Sequence, residues 1–178
     1  MTTAVERAAA VRLMILDVDG VLTDGRLYYG PAGEAMKAFD VRDGHGIKLM
    51  REGGIDVALL TARSSQIVAT RARELGIERV EQGAANKIAG FERLLAASGM
   101  DERSCGYIGD DWPDLAVLAR VGFAATVADA APEVREAAHW VAGCPGGRGA
   151  VRELAQFLLH AQGRFAPLLA RHRGASHA

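Results

Sequence analysis

The chain has 178 residues, 49% of them apolar and 24% charged, with 21 lysines and arginines against 22 acids. That length suits a single domain burying roughly two thirds of the surface its unfolded form exposes, and the balanced charge excludes a disordered chain and speaks against nucleic acid as a partner. Cys105 and Cys144 fall outside any zinc-binding spacing and read as reduced thiols, and there is neither a signal-like N-terminal run nor a stretch of ~18 apolar residues, so a cytoplasmic protein with no membrane insertion is expected.

Val11 to Leu16 is almost continuously apolar and ends in Asp-Val-Asp-Gly, as expected of a strand buried on both faces. Gly25 to Phe39 holds two short runs around Gly30-Pro31-Ala32-Gly33, which predicts a projecting hairpin. A helix around Gly46 to Glu52 follows, then a strand D-V-A-L-L ending at Thr61 and a helix from Ser64 to Leu75 closed by Gly76. The alternation continues with a short strand at Arg79 to Glu81, a helix from Lys87 to Ser98, a strand at Cys105 to Ile108 and a helix from Trp112 to Arg120. Phe123 to Val127 and Trp140 to Ala142 read as further strands on either side of a short helix from Pro132 to Ala138. Such β-α alternation with apolar strands predicts an α/β fold, a parallel sheet covered by helices on both faces. Gly149 to Gln162 predicts a last amphipathic helix, and residues 164–178, with Arg164, Arg171, His172, Arg173 and His177, read as a mobile basic tail on a core of about residues 11–163. No repeat, linker or inserted lid interrupts this single domain.

In open parallel sheets ligands bind beyond the carboxyl ends of the strands. Asp17 and Asp19 lie there after the first strand, Thr61 after the second, and Asp110, Asp111 and Asp114 after the strand ending at Ile108, while Lys87 opens a helix. Two acids at one strand end repel, and a cation relieves the repulsion; with Asp110 they suit the six-oxygen shell of magnesium. A carboxylate attacking phosphorus forms an aspartyl-phosphate, and a second acid protonates the leaving alkoxide and then deprotonates water. Asp17 is therefore the expected nucleophile and Asp19 the acid/base, with the Thr61 hydroxyl and the Lys87 charge set against the phosphoryl group. Taken singly, Thr61 reads as a helix cap, Lys87 as a solvated lysine and Asp114 as a first-turn acid. Their order and their shared place at strand ends carry the functional reading.

D-V-D-G-V-L-T-D-G from Asp17, L-L-T-A-R ending at Arg63, Lys87, and Y-I-G-D-D-W-P-D from Tyr107 resemble the motifs of the haloacid dehalogenase superfamily, four in order. The resemblance implies a three-layer Rossmann-like core, with Mg2+ held by Asp17, the carbonyl of Asp19 and Asp110, and with Asp111 and Asp114 in support. F-D-V-R-D-G-H-G at Phe39 and C-P-G-G-R-G-A-V-R-E at Cys144 are in addition similar to the family of 3-deoxy-D-manno-octulosonate 8-phosphate (Kdo 8-phosphate) phosphatases, over about Val11 to Gly163. That likeness implies a capless homotetramer in which a neighbour's hairpin helps close each active site. It implies hydrolysis of a sugar-acid phosphate in lipopolysaccharide inner-core synthesis, with Asp19, Asp40, Val41, Arg42, Asp43, Gly44, Arg63, Arg71 and Lys87 contacting the substrate, the arginines by bidentate grip on a carboxylate. The chain departs from the family at Ala62, where glycine is usual, and at Asp40, where asparagine is general; the latter bears on sugar recognition more than on the chemistry. Relatives acting on nine-carbon acids often carry Glu at the position of Arg63, which favours the eight-carbon substrate. A nine-carbon substrate, a broad set of sugar phosphates, and a non-catalytic module binding a metabolite or protein partner are the alternatives. Arg148 and Arg152 fit either an active-site mouth or a plain capping helix; His45 reads as shaping a loop, and Trp112 and Trp140 as packing residues.

Overall fold

Thr3 and Glu6 form a reciprocal capping box that opens a short first helix, α1 (Ala4–Ala9), which the sequence pattern does not announce. The computed structural model describes residues 2–174. In chain order there follow β1 (Leu13–Leu16), a hairpin of β2 (Tyr28–Gly30) and β3 (Gly33–Met36), α2 (Val41–Glu52), β4 (Asp56–Leu60), α3 (Gln66–Leu75), β5 (Arg79–Glu81), α4 (Lys87–Ser98) and β6 (Cys105–Ile108). A 3₁₀ turn at Trp112–Asp114 leads into α5 (Leu115–Leu118), then β7 (Phe123–Thr126), α6 (Pro132–Ala137), β8 (Trp140–Val141), α7 (Ala150–Ala161) and α8 (Phe165–His172).

Every side chain of β1, β6 and β7 is buried, so these strands are central, and the six main strands pair in parallel in the order β5-β4-β1-β6-β7-β8. From β1 the chain steps outward to β4 and β5, then returns past β1 to β6 and steps the other way to β7 and β8. Right-handed crossovers place helices of opposite steps on opposite faces, so α2 and α3 cover one face and α4, α5 and α6 the other. α7 packs on α2 and α1, completing the first layer. Reversal of the winding at β1 opens a crevice above the carboxyl ends of β1, β4 and β6. The hairpin is the one secondary structure between β1 and α2 among the described residues.

Three elements differ from expectation. The helix predicted from Gly46 begins at Val41 under an Asp40 cap, so His45 lies on a helix and shapes no loop. Gly44 and Gly46 hide this start, because two glycines in two turns read as a loop. They serve packing: a Cβ on Gly44 would lie 2.4 Å from Arg71 Nη2, and one on Gly46 would lie 2.8 Å from the Cα of Arg152. The stretch from Trp112 forms a 3₁₀ turn before the short α5, and Trp112 is exposed, with its indole Nε1 donating to Glu133 (3.0 Å), so it is not a packing residue; Trp140 is, stacked 5.2 Å from Phe157. The tail predicted to be mobile contains α8, whose Leu168 is buried against Leu49 and Leu159 with Phe165 alongside. Its arginines and histidines give that stretch its basic character in sequence, yet Phe165 and Leu168 supply the apolar contacts that seat one helix. Residues 175–178, His177 among them, lie outside the described residues.

Asp43 joins α2 to α7. The N-cap of α7 is Gly149, which has no side chain to offer, and the buried carboxylate of Asp43 accepts from the backbone N–H of Gly149 (3.1 Å) and Arg152 (2.8 Å) in its place. Asp43→Ala should therefore lower unfolding stability by about 2 kcal/mol, read as a lower urea midpoint at unchanged slope. An unchanged midpoint would show the cap to be dispensable.

Candidate active site

The ladder of β1 runs one residue past its last strand position, because the Asp17 N–H donates to the carbonyl of Ile108 (3.0 Å). The nucleophile candidate is thus fixed to the sheet at the reversal point. Beyond it the loop curls tightly, the Val18 carbonyl accepting from the N–H groups of Val21, Leu22 and Thr23. Gly20 adopts a φ of 90°, and a Cβ there would fall 2.1 Å from Asp110 Oδ2, so the loop after β6 can close on the loop after β1 only over a glycine. The segment from Cys144 to Gly149 packs on the same loop, with the Gly147 N–H donating to Val21 (2.9 Å). Thr61 is buried at the end of β4; Ser65, not Thr61, caps α3, which leaves the Thr61 hydroxyl outside the helix.

Lys87 opens α4 behind an Asn86 cap, and its side chain is only 5% exposed. Its ammonium donates to Asp17 Oδ2 (2.6 Å) and to Asp114 Oδ1, and lies 3.2 Å from the Tyr107 hydroxyl. Tyr107, wholly buried, donates to the same Asp114 oxygen, while Asp114 Oδ2 accepts from the backbone N–H of Asp110 (3.0 Å) and Asp111 (3.1 Å). Asp114 is thereby saturated with donors. Oxygens of Asp17, Asp110 and Asp114 all lie within 4.8 Å of one another, yet only those of Asp17 and Asp110 have capacity left for a cation. Among the described residues the Asp110 carboxylate accepts from no donor. Asp17, which accepts one bond at each oxygen from the Val18 N–H and from Lys87, and the donor-free Asp110 form a hard oxygen pair that fits a divalent cation.

Burial raises the pKa of Asp17 to about 7 against the opposing pull of Lys87, and burial with the neighbouring Asp17 and Asp114 does the same for Asp110, also to about 7. Burial works against the charge of Lys87, but Asp17 and Asp114 outweigh it and raise its pKa. The cluster thus lacks positive charge.

Asp19 does not turn its carboxylate toward this cluster's lysine. Its Oδ1 pairs with Lys37, just past β3, and Lys37 also meets Glu34 (3.1 Å). Glu34 accepts from the hydroxyl of Ser65, and the Tyr29 hydroxyl accepts from Arg63 Nη2 (3.0 Å), so the hairpin is tied down over the loop after β4. Arg63 Nε is buried without a hydrogen-bond partner. Asp40 pairs with Arg42 (2.8 Å), which also donates to the carbonyl of Arg148 (3.1 Å), and with Asp24, Phe39 and Gly147 they line a cleft of about 440 Å³. The Arg71 guanidinium lies 5.7 Å from the centre of the Phe39 ring and bonds Glu74 (3.2 Å). Val41 is 82% exposed. Asp43 spends both oxygens on α7 and Gly44 is packed under Arg71, so neither offers the crevice a polar side-chain group. Lys37, Glu34, Ser65 and Tyr107 are the members of this network that sequence reasoning misses. Only Tyr107 carries a signal, the first position of Y-I-G-D-D.

A carboxylate after β1, a hydroxyl after β4, a lysine opening α4 and acids after β6 of a parallel sheet make the pattern of a hydrolase of the haloacid dehalogenase-like class. The family of that description, haloacid dehalogenase-like hydrolase, matches residues 77–152. The 3-deoxy-D-manno-octulosonate 8-phosphate phosphatase KdsC of Yersinia pestis is 46% identical over 158 residues, 89% of this chain and 84% of the relative. The structure of the corresponding phosphatase from Moraxella catarrhalis, in complex with magnesium ion, phosphate ion and KDO, superimposes with a TM-score of 0.91 at 37% identity over 95% of this chain and 97% of that one. The cobalt-bound form of the Haemophilus influenzae enzyme gives 0.88 at 41% identity over 90% and 94%. The chain belongs to the 3-deoxy-D-manno-octulosonate 8-phosphate phosphatase family. The expected α/β fold and family hold, and the acidic cluster suits a divalent cation. No helix among the described residues is long and apolar enough to cross a membrane.

Two outcomes follow from the geometry. A cation binds carboxylates and not their acids, so affinity for a divalent ion should fall as pH drops from about 8 to about 6, with proton release on binding; calorimetry in buffers of different ionisation enthalpy measures both, and a pH-independent affinity would contradict the raised carboxyl pKa values. Tyr107→Phe removes one donor from Asp114 and one neighbour of Lys87 and should lower kcat about tenfold at unchanged KM, with about 1 kcal/mol of stability lost. A full kcat would exclude the hydroxyl from the arrangement.

Proposed function

We propose that the protein hydrolyses Kdo 8-phosphate to Kdo and inorganic phosphate with Mg2+, as a cytoplasmic step of lipopolysaccharide inner-core synthesis. The observation that carries this reading is Asp17, pinned to the sheet end, paired with Lys87 and set beside Asp110 in a chain of this family. Asp17 attacks phosphorus, and the bond between phosphorus and the sugar oxygen breaks as Asp19 protonates the leaving alkoxide. Asp19 then takes a proton from water as that water attacks the aspartyl-phosphate, releasing phosphate and restoring Asp17. Lys87 opposes the burial that favours the protonated form of Asp17 and orients its carboxylate, and the Thr61 hydroxyl donates to a phosphoryl oxygen. Asp17, the Asp19 carbonyl and Asp110 would hold Mg2+, which when bound supplies charge neutralisation at the phosphoryl oxygens. Asp19, Lys87, Asp40, Val41, Arg42, Asp43, Gly44, Arg63 and Arg71 are the proposed substrate region. Asp43 and Gly44 contribute by shaping α2, and the guanidinium groups of Arg63 and Arg71 suit a sugar-acid carboxylate. A single domain assembled as a homotetramer is proposed too, supported by the exposed Leu27, Tyr29 and Met36 of the hairpin region and by exposed Val41.

Phosphate release from a panel of sugar and sugar-acid phosphates tests the reading. Kdo 8-phosphate should lead the panel by at least about tenfold in kcat/KM, with activity abolished by chelator and lowered ~10³-fold or more in Asp17→Asn. Equal turnover of a nine-carbon acid phosphate would overturn the substrate and leave the chemistry standing. A monomer by light scattering with full activity would remove the tetramer.

A further inference from the structure

Of the buried lysines among the described residues, Lys87 serves the nucleophile, and the other, Lys37, has no part in the motifs of the sequence. Its side chain is 1% exposed, which takes it out of the class of surface ion pairs worth little. A buried ammonium persists only with compensating anions, and Lys37 has two, Asp19 Oδ1 and Glu34 Oε1. Glu34 is held in turn by its second oxygen, which accepts from Ser65, the cap of α3. The chain Asp19–Lys37–Glu34–Ser65 therefore runs from the loop after β1, through the hairpin, to the helix after β4.

We propose that Lys37 is the positioning residue of Asp19. It holds one carboxylate oxygen, and the other, Oδ2, accepts from no donor among the described residues and is left to carry the transferred proton. The hairpin thereby belongs to the catalytic machinery of its own subunit, with Glu34 and Ser65 fixing the lysine. The proposal rests on the reading of Asp19 as acid/base.

The leaving group separates this role from a structural one. A sugar alkoxide must be protonated as it departs, whereas the phenolate of p-nitrophenyl phosphate departs without a proton. kcat/KM reports the steps up to that departure. In Lys37→Met, kcat/KM for Kdo 8-phosphate should fall by about 10- to 100-fold, part of the full general-acid effect, while that for p-nitrophenyl phosphate changes by less than about threefold. Lys37→Arg should recover most of the loss, and Glu34→Gln should show the same split at smaller size, which keeps the test open if the methionine variant fails to fold. Equal losses on both substrates in Glu34→Gln and in a folded Lys37→Met would make Lys37 a hairpin anchor and overturn the proposal, as would no loss on either. Asp19→Asn run alongside should show the same dependence on leaving group. If it does not, the acid/base reading itself falls; if it does and neither Lys37→Met nor Glu34→Gln follows, only the role of Lys37 falls.

Discussion

Everything at the crevice depends on one ammonium group shared between two buried carboxylates. Asp17 stands at the end of β1 and Asp114 on the 3₁₀ turn after β6, the strand paired beside β1, and Lys87 lies between them as the cation that compensates two acids held out of water. Removing one member of such a set costs about 3–5 kcal/mol, because the others remain buried and uncompensated. The position of Lys87 as the first residue of α4, behind the Asn86 cap, is what brings the charge to the sheet end. Tyr107 and the N–H groups of Asp110 and Asp111 fill the remaining capacity of Asp114, so it organises the site without competing for a cation. The charge left unbalanced on Asp17 and Asp110 is what a divalent ion answers.

A second constraint comes from close approach. The loops after β1 and β6 meet over Gly20, while α2 lies tightly on α3 and α7 because Gly44 and Gly46 lack side chains. Asp43 ties α2 to the start of α7, and the loop preceding α7 in turn holds the loop after β1 through Gly147. Residues far from the chemistry thus set the position of the loop that bears Asp17 and Asp19. The hairpin adds its own ties, Tyr29 to Arg63 and Glu34 to Ser65, which hold it over the loop after β4.

The sheet was legible in the sequence because parallel strands buried on both faces are apolar at every position, as in L-M-I-L of β1, and because Gly76 and Gly99 mark helix ends plainly. Asp17, Thr61 and Asp110 were legible as candidates for a related reason, since polar residues that follow apolar strands of a parallel sheet fall at the mouth of its crevice, and Lys87 was legible as a candidate only through its place in the ordered motif set. The start of α2 was not, since glycine signals a turn and tight packing alike. Neither was α8, a helix of eight residues in which Pro167 interrupts the apolar positions and a basic end follows, a pattern that reads as a tail. Asp43 and Lys37 were opaque for a deeper reason: their partners are 106 and 18 residues away, and no local pattern announces that a carboxylate caps another helix or that a hairpin lysine is buried.

The central claim is that Asp17 carries the phosphoryl group, and chemical trapping tests it most directly. Rapid quenching of the enzyme with Kdo 8-phosphate and Mg2+, followed by borohydride reduction and peptide mass analysis, converts an acyl phosphate on an aspartate to homoserine. The account predicts homoserine at position 17 and at no other acid. Homoserine at position 19 or 110, or a fully active enzyme in which no residue is ever phosphorylated, would contradict it.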